Sequence, residues 1–101
     1  MDDDFEIDWE TWEPSDANHA TGVIRQLKVE VGQKHQIFHM LDRIQILARD
    51  GATDDVLVSN PEDHTTVFIV HPTYAKTVET NPVWPATSKI KVTSVPARIL
   101  R

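Results

Sequence analysis

The chain has 101 residues, of which 40% are hydrophobic and 26% are charged. These values are typical of one soluble globular domain and exclude a collagen-like or wholly disordered chain. The absence of cysteine excludes a disulfide framework, a thiolate metal site and a cysteine nucleophile. No apolar run approaches the roughly 18 residues that span a membrane, and the start MDDDFEID lacks the basic and apolar parts of a signal peptide. We therefore expect a cytoplasmic protein.

The net charge of −6 is distributed unevenly along the chain. Residues 1–16 contain eight acidic side chains and no basic one, whereas residues 17–101 contain eight acidic and ten basic ones. The basic side chains nearest the C-terminus are Lys89, Lys91, Arg98 and Arg101, with no acidic residue between them. Because affinity for nucleic acid comes largely from Lys and Arg that displace phosphate counterions, this charge disfavours nucleic acid and favours a protein partner with a basic surface.

The first 14 residues predict an acidic, aromatic N-terminal arm, followed by a single domain over residues 15–101. The arm contains large apolar side chains, which proteins normally bury or keep for a partner. Two hypotheses are open: the arm folds onto the sheet of its own domain, or it forms an interaction surface in which aromatic residues anchor a basic partner and acidic residues attract it. The candidate partner-binding residues are Phe5, Trp9, Glu10, Trp12 and Glu13.

Apolar residues between Asp16 and Val31 recur at intervals of three and four, which predicts an amphipathic helix. They are Ala20, Val23, Ile24, Leu27 and Val31. Ser15 is a candidate N-cap, with Asp16 in the first turn near the positive end of the helix dipole. Gly32 supplies a C-terminal stop signal.

Several segments after this helix predict strands. Residues 55–60 and 65–71 are rich in valine and isoleucine and predict a hairpin. Residues 35–40 predict a short strand, whereas residues 41–49 fit a helix or a strand. We favour the strand for residues 41–49, because the segment is short and a turn signal follows it.

Ile90 and Val92, alternating with Lys89 and Lys91, predict a final edge strand whose lysines discourage edge-to-edge aggregation. One helix followed by strands predicts an α+β fold, in which one N-terminal helix packs on an antiparallel sheet of three to five strands. The other face of this sheet would be solvated, covered by the aromatic arm, or covered by a partner.

Three short motifs occur between residues 54 and 87: DDVL at residues 54–57, IVHPT at residues 69–73 and PVWPAT at residues 82–87. They resemble a group of small bacterial proteins of unknown function, which pair a DDVL strand with a strand ending in a VVHLTW-like motif and a P-x-W-P-x-T element. Pro72 stands where that motif has leucine, and Tyr74 where it has tryptophan. The resemblance implies a bacterial or phage origin and a compact α+β fold, and it implies no activity.

Histidine is the side chain that titrates near neutral pH, and the sequence has His19, His35, His39, His64 and His71. The spacing of His35 and His39 suits zinc on a helix, but on the predicted strand it separates them by roughly 13 Å. We therefore predict two partly exposed histidines and no metal site.

His71 is the best candidate for a general base, because it ends a buried-looking strand with Thr73 and Tyr74 beside it. Asp54 or Asp55 could orient its ring across the hairpin. The alternatives are a strand-end histidine bonded to a backbone carbonyl and aspartates that serve the turn.

Trp84, between Pro82 and Pro85, is a candidate ligand platform or a cap on the open edge of the core. The sequence contains no nucleophile elbow, no Gly-rich phosphate loop and no spaced metal motif, so no cofactor is expected. Three function classes stay open. We favour a protein-binding module without enzymatic activity, such as an immunity protein, an antitoxin or a phage-type inhibitor. The others are a hydrolytic enzyme using His71 with Asp54 or Asp55, and a structural subunit of a larger assembly.

Overall fold

The computed structural model describes residues 7–73 and 85–100. Within these residues, one α-helix packs on five antiparallel strands in the order β1-β2-β3-β4-β5. Their bounds are β1 Trp12–Pro14, α1 Ala17–Glu30, β2 Ile46–Asp50, β3 Val56–Ser59, β4 Thr66–His71 and β5 Ala86–Lys91. The predicted α+β class is confirmed, and the described part of the chain contains no helix long and apolar enough to cross a membrane.

The predicted hairpin is confirmed as β3 and β4, which pair from Val56 with Val70 to Ser59 with Val67. The predicted edge strand is confirmed as β5, which pairs with β4. It ends at Lys91, because Val92 begins a short 3-10 helix. The favoured strand over residues 41–49 is confirmed from Ile46 onward, where β2 begins. Residues 41–45 form a turn and an irregular segment, so the strand predicted for them was wrong.

Helix α1 begins after Asp16, whose carboxylate accepts a hydrogen bond from the backbone N–H of His19 at 2.8 Å. Asp16 is therefore the N-cap, and the prediction of Ser15 at that position was wrong. The charged oxygen of Asp16 also interacts favourably with the positive end of the helix dipole, which a serine hydroxyl does less well.

Residues 35–40 form turns and the 3-10 helix Phe38–Met40, so the strand predicted there was wrong. The buried apolar residues from this point are Ile37, Met40, Leu41 and Ile44. Their spacing of three and four places them on one side of a helical turn, facing the core beside α1. The hydrophobic content that suggested a strand therefore comes from a turn that closes one end of the core.

The sheet is buried on both faces, and a β-bulge in β2 helps to fill both. Ile46 pairs with Val58, and Ala48 pairs with Leu57, with an irregularity between them. Ile46 and Val58 belong to the cluster that includes the apolar residues of α1, whereas Ala48 and Leu57 belong to the cluster on the other face. Residues two apart in a regular strand point to the same face, so the bulge is what allows Ile46 and Ala48 to serve different cores.

The face opposite α1 is covered by the N-terminal segment and the C-terminal turn. Trp12 is 3% exposed and packs in one cluster with Val95 and Ile99. The ring centroids of Trp9 and Trp12 lie 5.3 Å apart at an interplanar angle of 50°. From residue 7 onward, the predicted arm therefore packs on its own sheet. Residues 1–6, which include Phe5, lie outside the described residues.

Candidate functional site

The hairpin brings His71 and Asp55 together. The pairing of Val56 with Val70 places the two side chains opposite each other at the end of the sheet. Nδ1 of His71 lies 2.5 Å from Oδ1 of Asp55, and the two side chains are 50% and 26% exposed. Asp55 is therefore the aspartate that can orient His71.

Asp54, the other predicted partner of His71, is an exposed turn residue with a φ of 66°. Its backbone N–H donates to the carbonyl oxygen of Asp50 at 2.9 Å. Aspartate tolerates a positive φ better than most residues. The location of Asp54 fits the turn role that the sequence left open.

The contact with Asp55 gives the His71 ring a defined orientation. A carboxylate at Nδ1 favours the tautomer with its proton on Nδ1 and leaves Nε2 able to accept a proton. Among the described residues, Nε2 of His71 has no hydrogen-bond partner. Thr73 does not supply a nucleophile beside it, because its hydroxyl donates to Oε1 of Glu30 at 2.8 Å. The pair can therefore activate a water molecule, and residues 7–73 and 85–100 place no covalent nucleophile next to it.

Glu30 is a fully buried carboxylate that the sequence analysis missed. It accepts hydrogen bonds from the N–H of Thr73 at 2.8 Å and from Nε2 of Gln26 at 2.7 Å, besides the Thr73 hydroxyl. Such donors offset the cost of burying the carboxylate at the unfavourable C-terminal end of a helix. The sequence signal that could have predicted its burial is its position seven residues after Val23, within the apolar stripe of the helix.

His35 is the second buried polar side chain near this end of the sheet, at 4% exposure. Its Nε2 lies 2.8 Å from the carbonyl oxygen of Pro85, and its Nδ1 accepts the N–H of Ile37 at 3.2 Å. His35 therefore holds Pro85, and Glu30 holds Thr73. The candidate platform Trp84 belongs to residues 74–84, which lie outside the described residues.

His35 and His39 do not form a pair. His39 is exposed, and its Nε2 lies 2.9 Å from Oε2 of Glu62, which also accepts from Arg43 at 3.0 Å. The hydrogen bond from Arg43 is the main reason why the pKa of Glu62 is lowered. The prediction that both histidines are partly exposed was wrong for His35, because its ring is buried and hydrogen-bonded within a turn. The described residues contain no group of three or more potential metal ligands.

The N-terminal segment presents an acidic surface, which we define as the exposed residues Asp8, Glu10, Glu13 and Asp16. Trp12 lies inside the core, so a partner could reach its ring only by displacing the domain's own packing. Trp9 is half-buried at the margin of the same cluster. Of the aromatic residues predicted to anchor a partner, only Trp9 is thus both described and partly accessible.

Two contacts that the sequence analysis missed fix this segment to the sheet. The guanidinium of Arg98 donates to the carbonyl oxygens of Trp12, at 2.8 Å, and of Trp9. The hydroxyl of Thr11 donates to Oδ1 of Asp50 at 2.6 Å. Burial alone would raise the pKa of Asp50, but hydrogen bonds, first from Thr11, outweigh it and lower that pKa. The acidic surface is therefore held on a rigid base.

Comparisons with protein-family models, with curated proteins and with solved structures found no match to this chain. The resemblance of residues 54–87 to a group of small bacterial proteins stays a prediction. Two of its motifs meet in the fold, since Asp55 contacts His71.

Proposed function

We propose that this protein is a small protein-binding module, of the immunity, antitoxin or phage-type inhibitor kind, that docks on a basic partner through its acidic surface. The observation that carries the proposal is the rigid support of this surface. Arg98 binds the carbonyl oxygens of Trp9 and Trp12, while the four carboxylates of the surface are exposed. A surface that is already ordered loses less conformational entropy when it binds, which improves affinity.

The charges of this surface are available to a partner. Glu13 pairs with Arg49 at 2.8 Å, and the described residues give Asp8, Glu10 and Asp16 no ion pair. The pair with Arg49 joins half-exposed side chains, and such pairs contribute little to stability. Exposed carboxylates of one sign raise the rate of encounter with a cationic surface. The half-buried ring of Trp9 adds an aromatic contact at the edge of the charged area.

The proposal predicts that D8N/E10Q/E13Q binds its partner at least about tenfold more slowly at low salt, because steering charges act mainly on the association rate. The difference should shrink as salt screens the charges. The partner is first captured from host lysate with the unmodified protein and identified by mass spectrometry. Association rates of the purified pair are then measured at low and moderate salt.

The matched control is D42N/E62Q/D63N, which changes the net charge equally at three other exposed acids. It should keep most of the association rate. Equal association rates for all three proteins, or an equal loss in both variants, would contradict docking through the acidic surface. If the captured complex contains many copies of this protein in one particle, instead of one copy per partner, the result would favour a structural subunit.

The 2.5 Å contact between His71 and Asp55 favours a second candidate function, hydrolysis by a water molecule that His71 activates. General-base catalysis contributes about 10²- to 10⁴-fold, so H71Q and D55N should each lower turnover at least about 100-fold. Hydrolysis is measured with a panel of activated phosphoric esters. The control variants H39Q and E62Q alter an exposed histidine–carboxylate contact of 2.9 Å and should leave turnover unchanged. Hydrolysis that survives H71Q would remove this candidate.

A further inference from the structure

Ser15 and His19 form a contact that helix capping does not explain. Asp16 occupies the N-cap and accepts the N–H of His19 at 2.8 Å. The Ser15 hydroxyl is therefore not used as the cap, and its Oγ lies 2.6 Å from Nδ1 of His19. The backbone N–H of Ser15 donates to the carbonyl oxygen of Leu47 at 3.1 Å, which fixes Ser15 against β2. Both side chains are only partly buried, so the contact is accessible to a small ligand.

The surroundings of His19 favour its neutral form. Burial is the largest influence on its pKa and lowers it from 6.5, and the positive charge of Arg49 on β2 lowers it further. Asp16 beside α1, Glu13 on β1 and Asp54 in the turn after β2 act in the opposite direction without reversing the shift. At pH 7 the ring is therefore mainly neutral and able to accept a proton.

We propose that Ser15 is a nucleophile for acyl transfer and that His19 is its general base. A serine and a histidine within hydrogen-bond reach are the minimal arrangement that activates a hydroxyl. The hydroxyl has one proton and two acceptors, Nδ1 of His19 at 2.6 Å and the carbonyl oxygen of Asp16 at 3.2 Å. When the neutral ring carries its proton on Nε2, Nδ1 is an acceptor and the hydroxyl donates to it over the shorter of the two contacts. Ser15 lies between Glu13 and Asp16 of the acidic surface in the chain, whereas the His71–Asp55 pair is formed by other residues.

The reaction that fits the pair is attack on a carboxylic ester. Oγ of Ser15 forms a bond to the carbonyl carbon while its proton moves to Nδ1 of His19. The bond between that carbon and the leaving oxygen breaks, and His19 returns the proton to the leaving oxygen. Water then attacks the acyl carbon and gives a proton to Nδ1 of His19. The bond from that carbon to Oγ of Ser15 breaks, His19 returns the proton to Oγ, and the carboxylic acid is released. Glu13, Asp16 and Asp54 surround His19, so neutral or cationic acyl donors should be accepted over anionic ones.

The test uses the full-length protein with p-nitrophenyl acetate as the probe. We expect release of p-nitrophenolate, with an acetyl group on Ser15 in peptide mass spectrometry. S15A should lose this adduct, and H19Q should form it at least about 100-fold more slowly, as removal of a general base does. Neither variant removes the Asp16 carboxylate that caps α1. The control S88A, which changes an exposed serine of β5, should react like the unmodified protein. H71Q should also leave the Ser15 adduct unchanged, which separates this site from the other candidate.

The pH profile adds a second readout. Acetylation of Ser15 should fall as pH drops through the pKa of His19, below 6.5, because the protonated ring accepts no proton. In H19Q this inflection should disappear. An acetyl group found on His19 or on lysines in place of Ser15, or no adduct, would overturn the proposal. An adduct on Ser15 that forms equally fast in H19Q would also overturn it, because His19 would then not be the base.

Discussion

Replacing Trp12 with alanine is expected to lower the free energy of unfolding by about 3–5 kcal/mol, the usual cost of removing a large buried aromatic side chain. Trp12 is 3% exposed and packs in the cluster that includes Leu57 and Ile69. A domain of this size is typically stable by about 5–15 kcal/mol, so W12A would lose a large share of its stability. The loss is measured by urea unfolding followed by far-UV circular dichroism.

Trp9 provides the matched control, because it is the same residue type in the same segment but only half-buried. W9A should lose less than half as much stability as W12A. Equal losses in the two variants, or a loss below about 1 kcal/mol in W12A, would contradict the packing of Trp12 on the sheet. Because W12A perturbs the fold, W9A is the aromatic variant that can report on partner binding.

The described elements that the sequence predicted correctly are those whose pattern of apolar and turn residues lies within the element itself. Residues 56–59 and 66–71 contain valine and isoleucine in runs bounded by turn residues, which strands require whatever surrounds them. The apolar stripe of α1 repeats over four turns, so the helix is recognisable although one residue on the buried side, Glu30, is charged. The aspartate partner of His71 was narrowed to Asp54 or Asp55 because hairpin register places opposite residues side by side.

The features that the sequence did not reveal depend on partners that are distant in the chain. Arg98 binds carbonyl oxygens 86 and 89 residues away, and carbonyl oxygens carry no side-chain signal. The sequence around Trp12 is the same whether the domain's own sheet or a partner covers its ring. Ser15 and Asp16 are both good N-caps, and only the geometry shows that Asp16 takes this role and leaves the Ser15 hydroxyl to His19.

Replacing His35 with alanine is expected to lower the free energy of unfolding by about 2 kcal/mol or more, because two buried backbone groups lose a hydrogen bond. The N–H of Ile37 loses its partner, at about 1–3 kcal/mol, whereas the carbonyl oxygen of Pro85 keeps the hydroxyl of Thr87 at 3.0 Å and loses about 0.5–1.5 kcal/mol. Both Ile37 and Pro85 are almost completely buried. Two further variants separate the bonds. H35N keeps an acceptor near the position of Nδ1, and H35Q keeps a donor near the position of Nε2.

Each of H35N and H35Q should lose less stability than H35A, since each preserves one of the two bonds, and H35N, which keeps the bond to Ile37, should lose the least. His39 is the control, because it lies four residues further along and its side chain is 59% exposed. H39A should change the free energy of unfolding by no more than about 0.5 kcal/mol. Equal effects of H35A and H39A in urea unfolding would mean that His35 does not hold the turn to Pro85. A graded loss from H39A through H35N and H35Q to H35A would show that this histidine links the turn before β2 to the start of β5.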